Sequence, residues 1–231
     1  MAEAQTTAVK YARATCNIVR FALPEELRNI ETAGRACHGS GESASAKTAE
    51  QFARLVVRLG HESVLEHASA TVEVRCPISV ARQWMRHRLF SYTEQSLRHV
   101  RLAQECTFSD PELPGIAFGA EPVYLDDLNM PAEMAERHKV FKAACSAAHE
   151  AYCALLALGC SPEDARSVLP VAVETHFYAT ANLREWRHFF DLRCSAAAQH
   201  NIRTLARGLL KEFNKRAPGV FEDLAEKYWL L

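Results

Sequence analysis

No apolar run in this 231-residue chain is long enough to span a bilayer. The longest charge-free apolar window, Ala151 to Cys160, covers ten residues, about half of a membrane crossing. The first twenty residues carry Lys10, Arg13 and Arg20 with no apolar stretch of signal-peptide type, so nothing there reads as a leader. No two of the eight cysteines stand in C-x-x-C spacing, and none lies at zinc-ligand spacing from a histidine; scattered thiols of this kind fit a reducing compartment. The pair His61 and His67 does not form H-E-x-x-H, because six residues turn the two rings to different helix faces. No charge of either sign dominates: the net charge of −1 argues against an extended nucleic-acid groove, and 48% hydrophobic content argues against disorder. There is no internal repeat. These absences predict a soluble, cytoplasmic, globular protein with no metal, no membrane and no nucleic-acid partner. The length allows a large core without disulfide staples.

Lysine is also scarce: 20 of the 27 basic residues are Arg. Arginine presents a planar fork that matches phosphate and carboxylate bidentately, although a GC-rich genome would raise the same count. Local clustering says more. Between Arg82 and Arg101 five arginines (82, 86, 88, 98, 101) face one acid, Glu94, a local charge of 5 − 1 = +4. Such a cluster repels itself unless it is solvated or an anion fills it, and a small phosphate site suits it.

Periodicity predicts an α+β protein rich in helix. Pro24 to Ala36 and Thr48 to Leu59 read as helices, and Ala70, Val72, Val74 and Cys76 alternate as a half-buried strand. Pro77 suits the first turn of a helix to about Arg88, followed by a polar loop. Ala132 to Leu158 reads as a long amphipathic helix, Pro162 to Leu169 as a short one, and Val171 to Ala181 as a strand. Asn182 can cap the next helix, with Leu183, Trp186 and Phe190 inward and Arg184, Arg187, His188 and Asp191 outward. The last long helix buries Ala198, Ile202, Leu205, Leu209 and Phe213. Gly39 to Thr48 and Asp110 to Pro131 read as loops.

Chemistry concentrates in Gln83-Trp84-Met85-Arg86-His87-Arg88, continuing through Glu94-Gln95-Ser96-Leu97-Arg98. A helix ending in Arg-His-Arg, then hydroxyls, a carboxylate and another Arg, makes an anion cradle with donors for a planar ring. A solvated charged helix end is the plainer alternative.

These residues resemble the signature of the flavin-dependent thymidylate synthases, Arg-His-Arg followed after seven residues by Ser, here Arg86-His87-Arg88 and Ser96. Further matches are Gly60-His61-Glu62-Ser63-Val64-Leu65-Glu66-His67, Val80-Ala81-Arg82-Gln83-Trp84, Ala165-Arg166-Ser167-Val168-Leu169-Pro170, Asn182-Leu183-Arg184 and Leu192-Arg193. The resemblance implies one helix-rich α+β domain over 1–231 with a small, mostly antiparallel sheet, assembled as a homotetramer with FAD between subunits. It implies conversion of dUMP to dTMP, with methylenetetrahydrofolate as carbon donor and NADPH reducing the FAD. By position, Ser63, Arg86, His87, Arg88, Glu94, Asn182, Leu183, Arg184 and His188 would bind FAD. Gln83, Trp84, Met85, Arg86, Glu94, Gln95, Ser96, Leu97, Arg98, Arg166 and Arg193 would bind dUMP, with Ser96 and Arg98 on the phosphate.

The resemblance gives Arg193 the catalytic role beside the pyrimidine; a helix-end Arg favoured by the dipole is the structural alternative. It also implies that no enzyme thiol attacks the uracil, so Cys194 is expected to be a packed thiol, and it places His61 near the flavin. Departures from the family pattern are Thr93 for Asn, Leu97 for Gly, His99 for Tyr, His188 for Asn and Ala197 for a frequent His. They bear on substrate affinity more than on reaction class. They motivate an alternative, a flavin- or nucleotide-binding homologue with lost or altered turnover.

Overall fold

A computed structural model describes residues 8–21, 24–38, 46–109, 117–118 and 131–228. The strands are β1 (Ala8–Ala12), β2 (Thr15–Arg20), β3 (Ser69–Pro77), β4 (Ser91–Glu94), β5 (Glu105–Ser109), β6 (Ala117–Phe118) and β7 (Glu174–Asn182). The helices are α1 (Glu25–His38), α2 (Ala46–Arg58), α3 (Ile78–Trp84), α4 (Ala132–Ala157), α5 (Pro162–Ala165), α6 (Leu183–Arg193), α7 (His200–Arg216) and α8 (Pro218–Lys227). Five strands form one sheet in the order β4-β7-β3-β2-β6, and β1 pairs with β5 in a second sheet. The class is α+β and rich in helix. The β1–β5 pair runs parallel, with Ala8 opposite Glu105 and Ala12 opposite Ser109.

The chain divides into two compact units, each discontinuous in sequence: Met1–Thr15 with Val74–Trp84 and Thr93–Phe177, and Cys16–Glu73 with Met85–Tyr92 and Tyr178–Leu231. The first unit is built on Tyr11, Leu102, Cys106, Phe108, Cys145, Tyr152, Ala165 and Val173. Helix α4 turns a stripe of His138, Cys145, His149 and Tyr152 inward. The amphipathic reading of this helix holds, with Phe141 and Leu155 also packed on the core, and the structure adds two histidines to the buried face. His149 can be buried because its Nε2 bonds the Leu102 carbonyl at 2.8 Å.

The second unit has an aromatic core. Trp186 meets Phe213 at 4.9 Å and Phe90 at 4.7 Å, while Phe213 packs on Phe190 and Phe221, each at 5.2 Å. Strand β3 follows the expected alternation, with Ala70, Val72, Val74 and Cys76 all buried. Asn182 caps α6 through Oδ1, which accepts from Glu185 N at 2.9 Å.

Several boundaries differ from the sequence reading. Helix α3 stops at Trp84 rather than Arg88, and the expected polar loop begins with β4. The chain turns at Met85 and Arg86, and a second turn, closed by Phe90 N on the His87 carbonyl at 3.4 Å, leads it into β4 with His87 buried between exposed Arg86 and Arg88. Pro162 to Leu169 divides into α5 and a single 3₁₀ turn, Arg166–Val168. Strand β7 starts at Glu174, because Val173 N closes a turn onto the Pro170 carbonyl at 3.0 Å. Helix α7 begins at His200, leaving Ala198 outside it, and α8, β1, β2, β5 and β6, the last within the expected 110–131 loop, were not anticipated. Of the two expected loops, 39–45, 110–116 and 119–130 lie outside the described residues; Ala46 to Thr48 open α2.

Candidate active site

Within the second unit, the conformation around Ser63 starts at the end of α2. Gly60 takes φ 71°, His61 N bonds the Val56 carbonyl at 2.8 Å, and Gly60 N bonds the Val57 carbonyl at 3.0 Å. That double closure is a Schellman motif, and it needs the left-handed residue that glycine supplies without strain. The chain then enters a 3₁₀ helix, Glu62–His67, whose Val64 and Leu65 are buried while His61 and Ser63 face outward.

His87 is the pivot of this unit. Its ring packs against Phe189 at 5.0 Å and its Nε2 accepts a hydrogen bond from Arg193 Nε at 2.9 Å. A guanidinium Nε can only donate, so the ring proton sits on Nδ1, 3.7 Å from Glu185 Oε1. Burial, aided by Arg193 and His188, lowers the His87 pKa to about 4. Burial likewise lowers Arg193 from its ordinary value but leaves the guanidinium charged at neutral pH. The expected Arg-His-Arg cradle is thus corrected at its middle residue: Arg86 and Arg88 are exposed, and neither makes a hydrogen bond or ion pair among the described residues. Between them His87 is a neutral buried acceptor.

A cleft of about 770 Å³ lies in the same unit, lined by Asn182, Arg184, His188, Glu62, Glu66 and Leu89 among others. Three residues of the expected cofactor set are therefore neighbours. Arg184 is exposed and held by Glu66 at 2.6 Å. The Leu183 side chain is fully buried and its N–H bonds the Ala68 carbonyl at 2.9 Å. Cys194 is buried and its thiol is pushed up to about 12 by burial, a resting state without a nucleophilic thiolate.

Within the first unit, Gln95 N bonds the His176 carbonyl at 2.8 Å, extending the β4–β7 pairing, and Glu94 Oε1 accepts from Thr175 Oγ1 at 2.8 Å. A helical turn follows: His99 N and Val100 N both bond the Ser96 carbonyl, at 3.1 and 3.0 Å. Leucine adopts such a turn cheaply, and Leu97 packs on the core cluster together with Val100; the departure from glycine is absorbed by packing. Ser96 Oγ accepts from Arg98 N at 3.3 Å. Arg98 and Arg166 meet on one residue: Arg98 Nε donates to Glu163 Oε2 at 2.7 Å and Arg166 Nε to the Glu163 carbonyl at 3.1 Å. Gln83 Nε2 returns to the Ser79 carbonyl at 3.1 Å and Trp84 is fully buried against Phe177; Met85, which belongs to the second unit, is half-buried. Among the described residues no cluster of His, Cys, Asp or Glu is arranged to hold a metal ion, and no helix is long and apolar enough to cross a membrane.

The model of the family described as thymidylate synthase complementing protein matches residues 18–219, which include every residue named above as a candidate. The chain belongs to the flavin-dependent thymidylate synthase family. Among family members, the flavin-dependent thymidylate synthase of Geobacter sulfurreducens is 36% identical over 207 residues, 87% of this chain and 82% of that protein. The one from Mycobacterium sp. (strain JLS) is 34% identical over 216 residues, 84% of this chain and 78% of its own. Among solved structures, the UMP/dUMP methylase PolB from Streptomyces cacaoi, bound with 5-Br dUMP, superposes with a TM-score of 0.76 at 26% identity, covering 96% of this chain and 99% of that one.

The sequence reading missed one residue lining this cleft. Arg187 was expected on the outer face of α6, yet it is buried and lines the cleft. Its charge was the misleading signal; the nearby acids Glu62 and Asp223 belong to distant segments.

Proposed function

We infer that this protein converts dUMP to dTMP by reductive methylation, with methylenetetrahydrofolate as carbon donor and NADPH as the source of reducing equivalents. The observation that carries the reading is family membership over residues 18–219. The chain 1–231 acts as one catalytic domain in a homotetramer, so residues of different subunits can serve one nucleotide.

The donor set suits FAD. Arg86 and Arg88 are exposed forks without partners among the described residues, the chemistry that grips a pyrophosphate. Asn182, Arg184 and His188 stand together on the cleft, with Ser63 on the neighbouring 3₁₀ helix. FAD, once reduced, supplies the hydride. Arg184 is available for this role because its ion pair with Glu66 is solvent-exposed and therefore weak.

Arg193 is the catalytic residue of the reading. Uracil C5 attacks carbon only when electron density is pushed into the ring, and a guanidinium beside the N3 edge stabilises the charge that develops. The bond from Arg193 to a neutral His87 orients that guanidinium. Ser96, Arg98 and Arg166 take the nucleotide phosphate, which displaces Glu163 from an exposed ion pair.

The test supplies purified protein with dUMP, methylenetetrahydrofolate and NADPH, and reads dTMP by chromatography alongside the visible flavin spectrum. Wild type is expected to form dTMP. Arg193→Ala is expected to keep its flavin and form none; ordinary turnover by that variant removes Arg193 from the catalytic role. A yellow wild-type protein that forms no dTMP establishes the alternative, a flavin-binding homologue without this turnover. A parallel arm with UMP is warranted by the likeness to a methylase of both nucleotides.

A further inference from the structure

Arg187 is an anomaly for the reaction just described. It is a nearly buried arginine lining the cleft, and neither the nucleotide nor the flavin reading uses it. Every arm of its guanidinium is engaged. Nε donates to Glu62 Oε1 at 2.8 Å; Nη1 and Nη2 clasp Asp223 Oδ1 and Oδ2, each at 2.7 Å; Nη1 also donates to the Val220 carbonyl.

Two arginines of α6, Arg184 and Arg187, grip two glutamates of the 3₁₀ helix, Glu66 and Glu62. The rungs are unequal. In the Arg184 rung both side chains are about half-exposed, whereas the Arg187 side chain is 9% exposed. An exposed pair holds little; a buried guanidinium forked onto the half-exposed Asp223 and bonded through Nε to Glu62 holds its partners in one geometry. The 3₁₀ helix needs such a hold. It is six residues long, and its N-cap residue His61 makes no side-chain capping bond; short 3₁₀ segments are intrinsically weak. Its second residue is Ser63, and the anchor at the far end of the clasp, Asp223 on α8, lies beyond residue 219, where the family match ends.

We propose that Arg187 is a positioning residue of the flavin site: it ties the Ser63-bearing 3₁₀ helix to α8 and so holds the cleft wall in its binding shape. The inference rests on the flavin reading given above. Arg187 touches neither cofactor nor substrate; it acts through Glu62 and Asp223. Removing the guanidinium cuts the tie between Glu62 and Asp223 and leaves two like charges facing one another, so the wall moves when the clasp is opened.

The experiment titrates flavin-stripped wild type, Arg187→Met, Arg187→Lys and Asp223→Asn with FAD, following flavin fluorescence, and measures dUMP binding and amide hydrogen exchange of residues 62–67 on the same samples. The expected result is an FAD Kd raised about tenfold or more in Arg187→Met, with partial recovery in Arg187→Lys. Exchange of the 62–67 amides becomes faster and the Kd for dUMP stays within about twofold. A loss of both ligands in parallel is general destabilisation and overturns the positioning role. So does an unchanged FAD Kd in a folded variant. If Arg187→Met does not fold, Asp223→Asn, which removes the charge and keeps one of the two acceptor oxygens of the clasp, is read by the same criteria. Wild type that takes up no FAD overturns the flavin reading and this inference with it. Wild type that binds FAD beside variants binding equally well overturns this inference alone.

Discussion

Arg193 Nε donates a hydrogen bond to His87 Nε2 across 2.9 Å, joining the last residue of α6 to the middle residue of Arg86-His87-Arg88. The bond exists only while His87 is neutral, because a protonated imidazole has no acceptor. The folded pKa of about 4, against 6.5 for a free imidazole, keeps it so. Between those values the unfolded chain binds a proton that the native state refuses, so stability is lost as pH falls from 6.5 towards 4 and His87 contributes no slope above 6.5. We expect roughly 2–3 kcal/mol of pH-dependent loss from this group at its limit. His87→Gln, which keeps an acceptor and never titrates, flattens that part of the curve. Urea melts at pH 4 to 8 for both proteins check it; equal slopes would show that His87 is not the group responsible.

Arg86 and Arg88 separate binding from folding. Both are exposed and without partners among the described residues, so Arg86→Ala and Arg88→Ala should shift Tm by no more than about 2 °C. Flavin affinity should fall about tenfold or more in each, as expected for losing a charge-assisted bond to a phosphate oxygen. Thermal melts and FAD titration decide it; a variant with unchanged affinity has no place on the cofactor.

Glu174 carries the opposite pH signature. Its carboxyl, buried on β7 with Arg75 3.9 Å away, is raised by burial from 4.5 to about 7, with Arg75 opposing the rise and Glu105 adding to it. The native state thus holds a proton that the unfolded chain has released. Stability falls as pH rises from about 4.5 to 7 and levels off above. Glu174→Gln is expected to be about 1–3 kcal/mol more stable than wild type at pH 8 and unchanged at pH 4. Denaturant melts at the two pH values measure it; a destabilised variant at pH 8 would mean that the contact with Arg75 outweighs the burial penalty.

Local pattern carried a large part of this molecule in plain view. The alternation Ala70, Val72, Val74, Cys76 set the buried face of β3, and Asn182 capped the helix it precedes, because period and cap chemistry act over a few residues. Arg86-His87-Arg88 with Ser96 identified the family without any fold. What the linear string could not determine depends on partners far away in sequence. His87 leaves the Arg-His-Arg cradle because a core of Phe189 and Phe90 and the Arg193 side chain receive it. The parallel pairing of β1 with β5 joins short strands almost a hundred residues apart. Arg187 looked like a solvent-facing charge until Glu62 and Asp223, 125 and 36 residues distant, closed around it. Burying a charge is favourable only where its counter-charges are already in position, and only the tertiary fold brings them there.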